Sequence, residues 1–258
     1  MPKIIEITLY IFTIIYGLVI GSFLNVCILR IPNKESIVTE RSHCVKCGNT
    51  IQWYDLVPLF SYLFLGGKCR YCKEKISIQY PIIEVANAVL YIVIVASHGF
   101  NMESLLFCLC ASALLALSVI DWRTYEIPLP FNIFIGCLGL VRICLNLQHW
   151  SVYVLGFFAV SVFLYVVDCI CRVAIGRQGV GGGDIKLMAA TGLLIGWKAS
   201  ILSLMLGCVL GAIIHTILMK VSKKEHVLAF GPYLSMGVFI SMLYGEQMIN
   251  WYLSSFYS

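Results

Sequence analysis

Residues 109–121 read LCASALLALSVID, a run of twelve uncharged, mostly apolar residues that ends on an aspartate. The run belongs to an apolar segment over 104–120, which is long enough to cross the roughly 30 Å hydrocarbon core of a bilayer as a helix. Seven similar segments occur along the chain. The eight predicted spans are 4–24, 82–97, 104–120, 131–148, 151–171, 185–197, 200–219 and 230–252.

The composition agrees with this pattern. The chain has 258 residues, of which 60% are hydrophobic and 12% charged, whereas soluble domains average about 45–50% apolar and about 25% charged residues. The sequence therefore predicts an all-α polytopic membrane protein surrounded by lipid. The net charge of +5 does not indicate a nucleic-acid partner, because half of the basic residues precede residue 80 and the others lie mainly in short connections.

The basic residues also predict the orientation. Cytoplasmic loops of membrane proteins are enriched in lysine and arginine, and the long segment from Arg30 to Tyr80 is the most basic part of this chain. With that segment in the cytoplasm, both termini lie outside. We expect 4–24 to be a retained helix rather than a cleaved signal peptide, since GSFLN follows it instead of a cleavage site. The remaining predicted cytoplasmic loops are 121–130, 172–184 and 220–229, with Arg123, Arg172, Arg177, Lys220, Lys223 and Lys224.

Four cysteines in the long loop have the spacing of a metal site. Two C-x-x-C pairs, 44–47 and 69–72, are separated by 21 residues, which is the usual sequence form of a tetrahedral zinc site. Four protein ligands leave no open position for water, so a structural role is favoured, and zinc would supply folding free energy to a segment with little core. Two disulfides or a redox pair are the alternatives, but stable disulfides are rare in the cytoplasm. The predicted ligands are Cys44, Cys47, Cys69 and Cys72.

Two aspartates lie where predicted spans meet the cytoplasm. Asp121 ends the third span and Asp184 follows the glycines of GVGGGDIK. Taken singly, Asp121 could be an ordinary interfacial acid, and Asp184 could be the N-cap of a helix. Asp168, inside the fifth span, is a weaker candidate without a motif around it.

The two aspartates are predicted to lie on the same side of the membrane at similar depth. Two nearby carboxylates share a proton, so that one can activate a water while the other protonates the scissile carbonyl or the leaving amine. Glycines beside Asp184 would allow an extended substrate backbone to approach closely. This combination predicts an aspartyl peptidase at the membrane boundary.

Five motifs together resemble the bacterial type IV prepilin peptidases. GVGGGDIK fits the G-x-G-D pattern of membrane aspartyl peptidases, and the other motifs are GSFLNVCILRIP at 21–32, the paired C-x-x-C module, ISIQYPIIE at 76–84 and IDWRTYEIP at 120–128. The resemblance covers almost the whole chain. It implies cleavage of type IV prepilins or pseudopilins after the leader glycine on the cytoplasmic side. It also implies N-methylation of the new N-terminus with S-adenosylmethionine.

The resemblance carries functional residues over to this chain. It implies that Asp121 and Asp184 are the catalytic pair and that the four cysteines hold zinc. Gly181 and Gly183 keep the motif. Lys186 keeps it as well, and would hold the aspartate, contact substrate or simply extend to the membrane surface. Arg123 and Leu129 stand where many relatives have acids, which changes the charge near the site.

The methyltransferase half is harder to assign, because the chain leaves no room for a soluble cofactor-binding fold. Glu84 and the GSFLNVC segment, at the junction of the module with the spans, are the candidates for binding S-adenosylmethionine.

The predicted organisation is a first helix at 1–25, a zinc-binding module at 26–80 and a seven-helix membrane peptidase domain at 81–258. The alternative function is a non-enzymatic assembly factor or small transporter, although transporters place ionisable residues near the bilayer midplane.

Overall fold

A computed structural model describes residues 3–222 and 229–255. In these ranges the regular structure is helical, apart from two isolated β-bridges, His43 with Thr50 and Lys68 with Lys75. Short 3₁₀ turns lie at Trp53–Leu56 and Leu147–His149. The helices are α1 (Lys3–Arg30), α2 (Phe60–Phe64), α3 (Gln79–His98), α4 (Met102–Thr124), α5 (Leu129–Leu145), α6 (Trp150–Ile175), α7 (Gly182–Ile195), α8 (Trp197–Ser222) and α9 (Gly231–Ser254).

Each of the eight predicted spans overlaps one of the long helices. Among the described residues, five helical segments are long and apolar enough to cross a membrane, while α5 is apolar but shorter. Helix α7 has 14 residues and extends only about 21 Å at 1.5 Å per residue, less than a bilayer core. The all-helical class with several candidate membrane spans is confirmed, but the count of eight crossings stays a prediction. The five segments are Lys3–Arg30, Gln79–His98, Met102–Thr124, Leu147–Ile175 and Trp197–Lys220.

The chain divides into two compact units, Met1–Ala116 and Leu117–Ser258. The predicted functional division at residues 25 and 80 follows other criteria and stays a prediction. Part of the predicted basic loop at 220–229, including Lys223 and Lys224, lies outside the described residues.

In the first unit, α1 packs closely along α3 through two glycines one helical turn apart. A Cβ on Gly17 would lie 2.5 Å from Ala88 Cα, and a Cβ on Gly21 would lie 2.6 Å from Glu84 Cα. Small residues let membrane helices approach to backbone contact. The buried side chain of Asn87 then donates a 2.8 Å hydrogen bond to the carbonyl of Gly17. This contact fixes the register of the two helices.

In the second unit, glycines again mark the closest helix pairs. The backbones of Gly156 on α6 and Gly192 on α7 are in contact with no space for a side chain, and Gly237 on α9 lies equally close to Ser203 on α8. These contacts hold α7 against α6 and α9 against α8. The candidate active site is built on the starts of α7 and α9.

Candidate active site and candidate zinc site

Asp121 lies in the last turn of α4 and is buried, with 4% of its surface exposed. The helix ends at Thr124 because Tyr125 adopts a left-handed conformation, φ 56°. The N–H of Tyr125 donates a 2.8 Å hydrogen bond back to the carbonyl of Asp121. The extended Pro128 then leads into α5. The carboxylate is therefore carried by the rigid end of a membrane helix.

The carboxylate of Asp121 is bound by the start of α9. The N–H of Gly231 donates a 2.9 Å hydrogen bond to Asp121 Oδ2, and the free N–H groups of a helix start favour a negative charge. A Cβ on Gly231 would lie 2.7 Å from the same oxygen, so only glycine allows this contact. Gly231 was not identified from the sequence. The sequence feature that could have indicated Gly231 is the Gly-Pro pair at the beginning of the last apolar segment.

Asp184 lies in the first turn of α7. The helix begins at Gly182 with Gly181 as N-cap, so the alternative interpretation of Asp184 as the N-cap is wrong. The N–H groups of Asp184 and Ile185 both donate to the carbonyl of Gly181, at 3.1 and 3.3 Å. A Cβ on Gly181 would lie 2.7 Å from Asp184 Oδ2. The half-buried carboxylate therefore folds back over Gly181.

The two aspartates are close enough to interact electrostatically, each carboxylate opposing the charge of the other. Ile127, in the segment between α4 and α5, contacts the backbone beside both. A Cβ on Gly183 would lie 2.9 Å from Ile127 Cβ, and one on Gly231 would lie 3.2 Å from Ile127 Cδ1. Two neighbouring carboxylates in a partly buried site disfavour double ionisation and share a proton. Such a pair can act as general base and general acid in one reaction.

Three residues close in sequence to the aspartates are exposed. Lys186 extends from α7 to the surface, and among the described residues it forms no ion pair with either aspartate. Arg123 and Leu129 are exposed as well, and their expected effect on the charge near the site stays a prediction. The structure thus brings together Asp121, Asp184, Gly181 and Gly183, while the part taken by Lys186 stays a prediction.

The four predicted zinc ligands form one cluster in the first unit. Their sulfur atoms all lie within 4.8 Å of one another, and Cys44 Sγ is 3.8 Å from Cys72 Sγ. Tetrahedral zinc with Zn–S bonds of about 2.3 Å requires sulfurs about 3.8 Å apart. The N–H groups of Cys47 and Lys46 lower the pKa of the Cys44 thiol to about 6, whereas desolvation and the neighbouring cysteines raise the pKa of the Cys72 thiol to about 11. The cluster fits a zinc ion.

Both C-x-x-C pairs fold into the same turn. In the first, the N–H of Gly48 donates to Cys44 O at 2.8 Å, and the N–H of Cys44 donates to Asn49 O at 2.9 Å. The second repeats this pattern from Lys73 to Cys69 and from Cys69 to Glu74, at 3.0 and 2.8 Å. The residue after the second cysteine is left-handed in both, with φ 70° at Gly48 and 60° at Lys73.

An ion pair joins the second turn to the 3₁₀ turn of the module. Arg70 binds Asp55 through two hydrogen bonds of 2.7 and 2.6 Å, and its guanidinium stacks on Tyr54 at 5.2 Å. The hydrogen bond from Arg70 lowers the pKa of Asp55 below its ordinary value. Paired groups of this kind preorganise the segment around the cysteines.

Glu84, the candidate for the methyl donor, is buried in α3 and already has partners. Its Oε2 accepts a 2.7 Å hydrogen bond from the N–H of Leu59, and the hydroxyl of Ser22 also hydrogen-bonds to the carboxylate. Leu59 is left-handed, with φ 62°, at the start of α2. The geometry therefore gives Glu84 a clear structural contact to the module, and its assignment to S-adenosylmethionine stays a prediction.

Two family models match most of the chain. The model described as the Bacterial Peptidase A24 N-terminal domain matches residues 15–98, and that of the Type IV leader peptidase family matches residues 108–216. The second match includes both aspartates, and the first includes the four cysteines. No solved structure matches the chain significantly.

Several named proteins are similar to this chain over nearly its whole length. A protein of Bacillus subtilis is 34% identical, with 93% of this chain and 96% of the relative aligned. One of Pseudomonas putida is 32% identical over 91% and 90%, and one of Pseudomonas aeruginosa is 30% identical over 93% and 92%. All three are named prepilin leader peptidase/N-methyltransferase.

Proposed function

Because the chain belongs to the type IV leader peptidase family, we propose that it is an aspartic endopeptidase that removes the leader of type IV prepilins or pseudopilins and then N-methylates the product. The observation that carries the peptidase assignment is the pairing of Asp121 and Asp184, each fixed at the end of a helix. The alternative of a non-enzymatic assembly factor or transporter is not favoured by these relatives.

The catalytic step needs only the two carboxylates and a water. The ionised member accepts a proton as the water oxygen attacks the carbonyl carbon of the leader glycine. The protonated member donates to the amine of the next residue as the C–N bond breaks. No covalent enzyme intermediate is required. Glycines 181 and 183 keep side chains away from the path of the substrate backbone.

The orientation of the chain in the membrane is inferred from the basic residues of its loops. With the segment between α1 and α3 in the cytoplasm, the end of α4 and the start of α7 face the cytoplasm too. Cleavage then occurs at the cytoplasmic face of a bacterial inner membrane. A prepilin would present its basic leader to this face while its hydrophobic segment stays in the lipid bilayer.

The cysteine module supports the methylation half of the activity. We assign zinc to Cys44, Cys47, Cys69 and Cys72 as a structural ion, since four sulfurs complete its coordination. S-adenosylmethionine supplies the methyl group when it is bound, and the amine released by cleavage is the acceptor. Glu84 stays the candidate contact for this cofactor through its place beside the module.

The test uses the purified protein in detergent with a synthetic prepilin peptide that contains the basic leader and the Gly-Phe junction. Mass spectrometry of the product reports leader removal and, with S-adenosylmethionine present, the mass of one added methyl group. Detection of both products supports the bifunctional assignment. An intact peptide after prolonged incubation with zinc-replete enzyme would contradict it, and cleavage without methylation would contradict its second half.

A further inference from the structure

The loop between α6 and α7 runs back along α6 before it reaches the active site. Helix α6 ends at Ile175, and Gly176 is left-handed with φ 71°, its N–H donating a 3.1 Å hydrogen bond to Arg172 O. The chain thereby reverses direction. The segment 177–181, which we call the glycine loop, then leads directly to α7 and Asp184.

A buried carboxylate on α6 holds this loop. Asp168 is only 4% exposed, and its Oδ1 accepts hydrogen bonds from the N–H groups of Gly179 at 3.0 Å and Val180 at 3.2 Å. Its Oδ2 accepts a 2.8 Å hydrogen bond from Arg172. Asp168 lies about two turns before the end of α6, so these bonds require the loop to fold back onto the helix.

The same fold-back is fixed by packing. A Cβ on Gly179 would lie 2.6 Å from Cys171 Sγ, so the loop backbone rests on the thiol with no space for a side chain. Gln178 donates a 3.0 Å hydrogen bond to the carbonyl of Val180 across the turn. Two amide hydrogen bonds and one close contact therefore set the position of residues 179 and 180.

The position of the glycine loop determines where the catalytic Asp184 lies. Val180 precedes Gly181, whose carbonyl accepts the N–H groups of Asp184 and Ile185. We propose that Asp168 is a positioning residue: by binding Gly179 and Val180 it fixes Gly181 and so orients the Asp184 carboxylate toward Asp121. This inference rests on the proposed peptidase function. Burying an ionisable side chain at membrane depth costs desolvation free energy, and the three hydrogen bonds to the Asp168 carboxylate offset this cost.

The test compares substitutions of Asp168 in the full-length enzyme. Asp168→Ala removes every acceptor and is expected to lower kcat for prepilin cleavage about 10–100-fold, as for other small misplacements of catalytic groups, with KM within about threefold. Asp168→Asn keeps an Oδ1 acceptor for both amides and is expected to recover much of the loss. Arg172→Gln removes the ion pair from its exposed arginine side but leaves both hydrogen bonds of Asp168 to the loop, so kcat should stay within about threefold of wild type.

A matched control separates positioning from general stability. Ser161 is buried on the same helix, and its hydroxyl donates to the carbonyls of Phe157 and Phe158 of that helix, so Ser161→Ala should cleave normally. Amide hydrogen exchange measures the loop itself: peptides covering 176–183 should exchange faster in Asp168→Ala than in wild type, while those covering 150–165 should not change.

The outcomes distinguish the positioning role of Asp168 from the proposed peptidase function on which it rests. Provided that the wild-type enzyme cleaves, three results would each overturn the positioning assignment. They are a normal kcat in Asp168→Ala, equal defects in the Ala and Asn variants, and unchanged amide exchange of residues 176–183. Failure of the wild-type enzyme to cleave would instead remove the proposed function, while the exchange experiment would still show whether Asp168 holds the glycine loop.

Discussion

The N–H of Gly231, the first residue of α9, donates a 2.9 Å hydrogen bond to the buried carboxylate of Asp121 at the end of α4. The two residues are 110 positions apart in the chain. A carboxylate that accepts a hydrogen bond from a free N–H group of a helix start is held in one orientation. The contact also fixes one carboxyl oxygen of Asp121. The arrangement is well suited to one member of a catalytic pair.

Replacement of Gly231 by alanine tests this contact. The new Cβ would lie 2.7 Å from Asp121 Oδ2, so either the carboxylate or the start of α9 must move. We expect kcat for prepilin cleavage to fall about 10–100-fold. Gly245→Ala is the matched control on the same helix, because its Cβ would meet nothing closer than 3.6 Å. Equal activity of the two variants would contradict the importance of the contact.

Asparagine at either catalytic position keeps the shape of the side chain but removes proton transfer. Asp121→Asn and Asp184→Asn should each lower kcat by at least about 10³-fold. Glu126→Gln makes the same chemical change at an exposed acid in the loop after α4 and should leave cleavage intact. Methylation of a peptide that already begins with phenylalanine reports whether the variants are folded. Normal cleavage by either asparagine variant would show that the pair is misassigned.

The glycines before Asp184 are not equivalent. None of the glycines 181–183 is left-handed, so only the surrounding space decides the effect of a methyl group. A Cβ on Gly181 would strike Asp184 Oδ2 and one on Gly183 would strike Ile127, whereas one on Gly182 would meet nothing within 4 Å. We expect alanine at 181 or 183 to reduce kcat about 10–100-fold and alanine at 182 to preserve it. Cleavage kinetics of the three variants check this, and a defect confined to Gly182→Ala would refute it.

The pattern G-x-G-D therefore has a steric explanation in this chain, but only part of the site was predictable from sequence. Apolar segments and the C-x-x-C pairs depend on composition and short spacing, so the helices and the cysteine cluster were predicted. The start of α7 was placed too late, because the N-cap is a glycine, which offers no side-chain signal. Gly231 and Asp168 were not assigned to the site. The contact of Gly231 joins residues 110 positions apart, and the contacts of Asp168 depend on a loop that folds back onto its helix.

Loss of one cysteine tests the zinc assignment. Cys47→Ser should reduce bound zinc from about one equivalent to a small fraction, because a hydroxyl is a poor replacement for thiolate at this borderline-soft ion. Methylation should fall with the zinc content. Cys144→Ser, at an exposed cysteine of α5 outside the cluster, is the control and should keep zinc. Metal analysis of the purified variants decides, and full zinc in Cys47→Ser would exclude the four-cysteine site.

Substitutions at equivalent positions of the two cysteine turns should change the stability of the module in opposite directions. Lys73 and Gly48 are both left-handed, a conformation that costs a non-glycine residue about 1 kcal/mol or more. Lys73→Gly should therefore stabilise the folded module by a net amount of about 0.5–1 kcal/mol, after the greater chain entropy of glycine in the unfolded state is included. Gly48→Ala should destabilise it by a similar amount, since its Cβ would meet no atom within 4 Å and only the backbone conformation is penalised.

Zinc affinity reports both changes, because metal binding and folding of such a module are coupled. In competition with a chelator, Lys73→Gly should retain zinc about 2–5-fold more tightly than wild type and Gly48→Ala should release it correspondingly more easily. Lys73→Ala is the control for loss of the charge, since it removes the ammonium group while keeping a Cβ in the left-handed position. If Lys73→Ala retained zinc as tightly as Lys73→Gly, the gain would come from charge, and backbone strain at Lys73 would not limit the stability of the cluster.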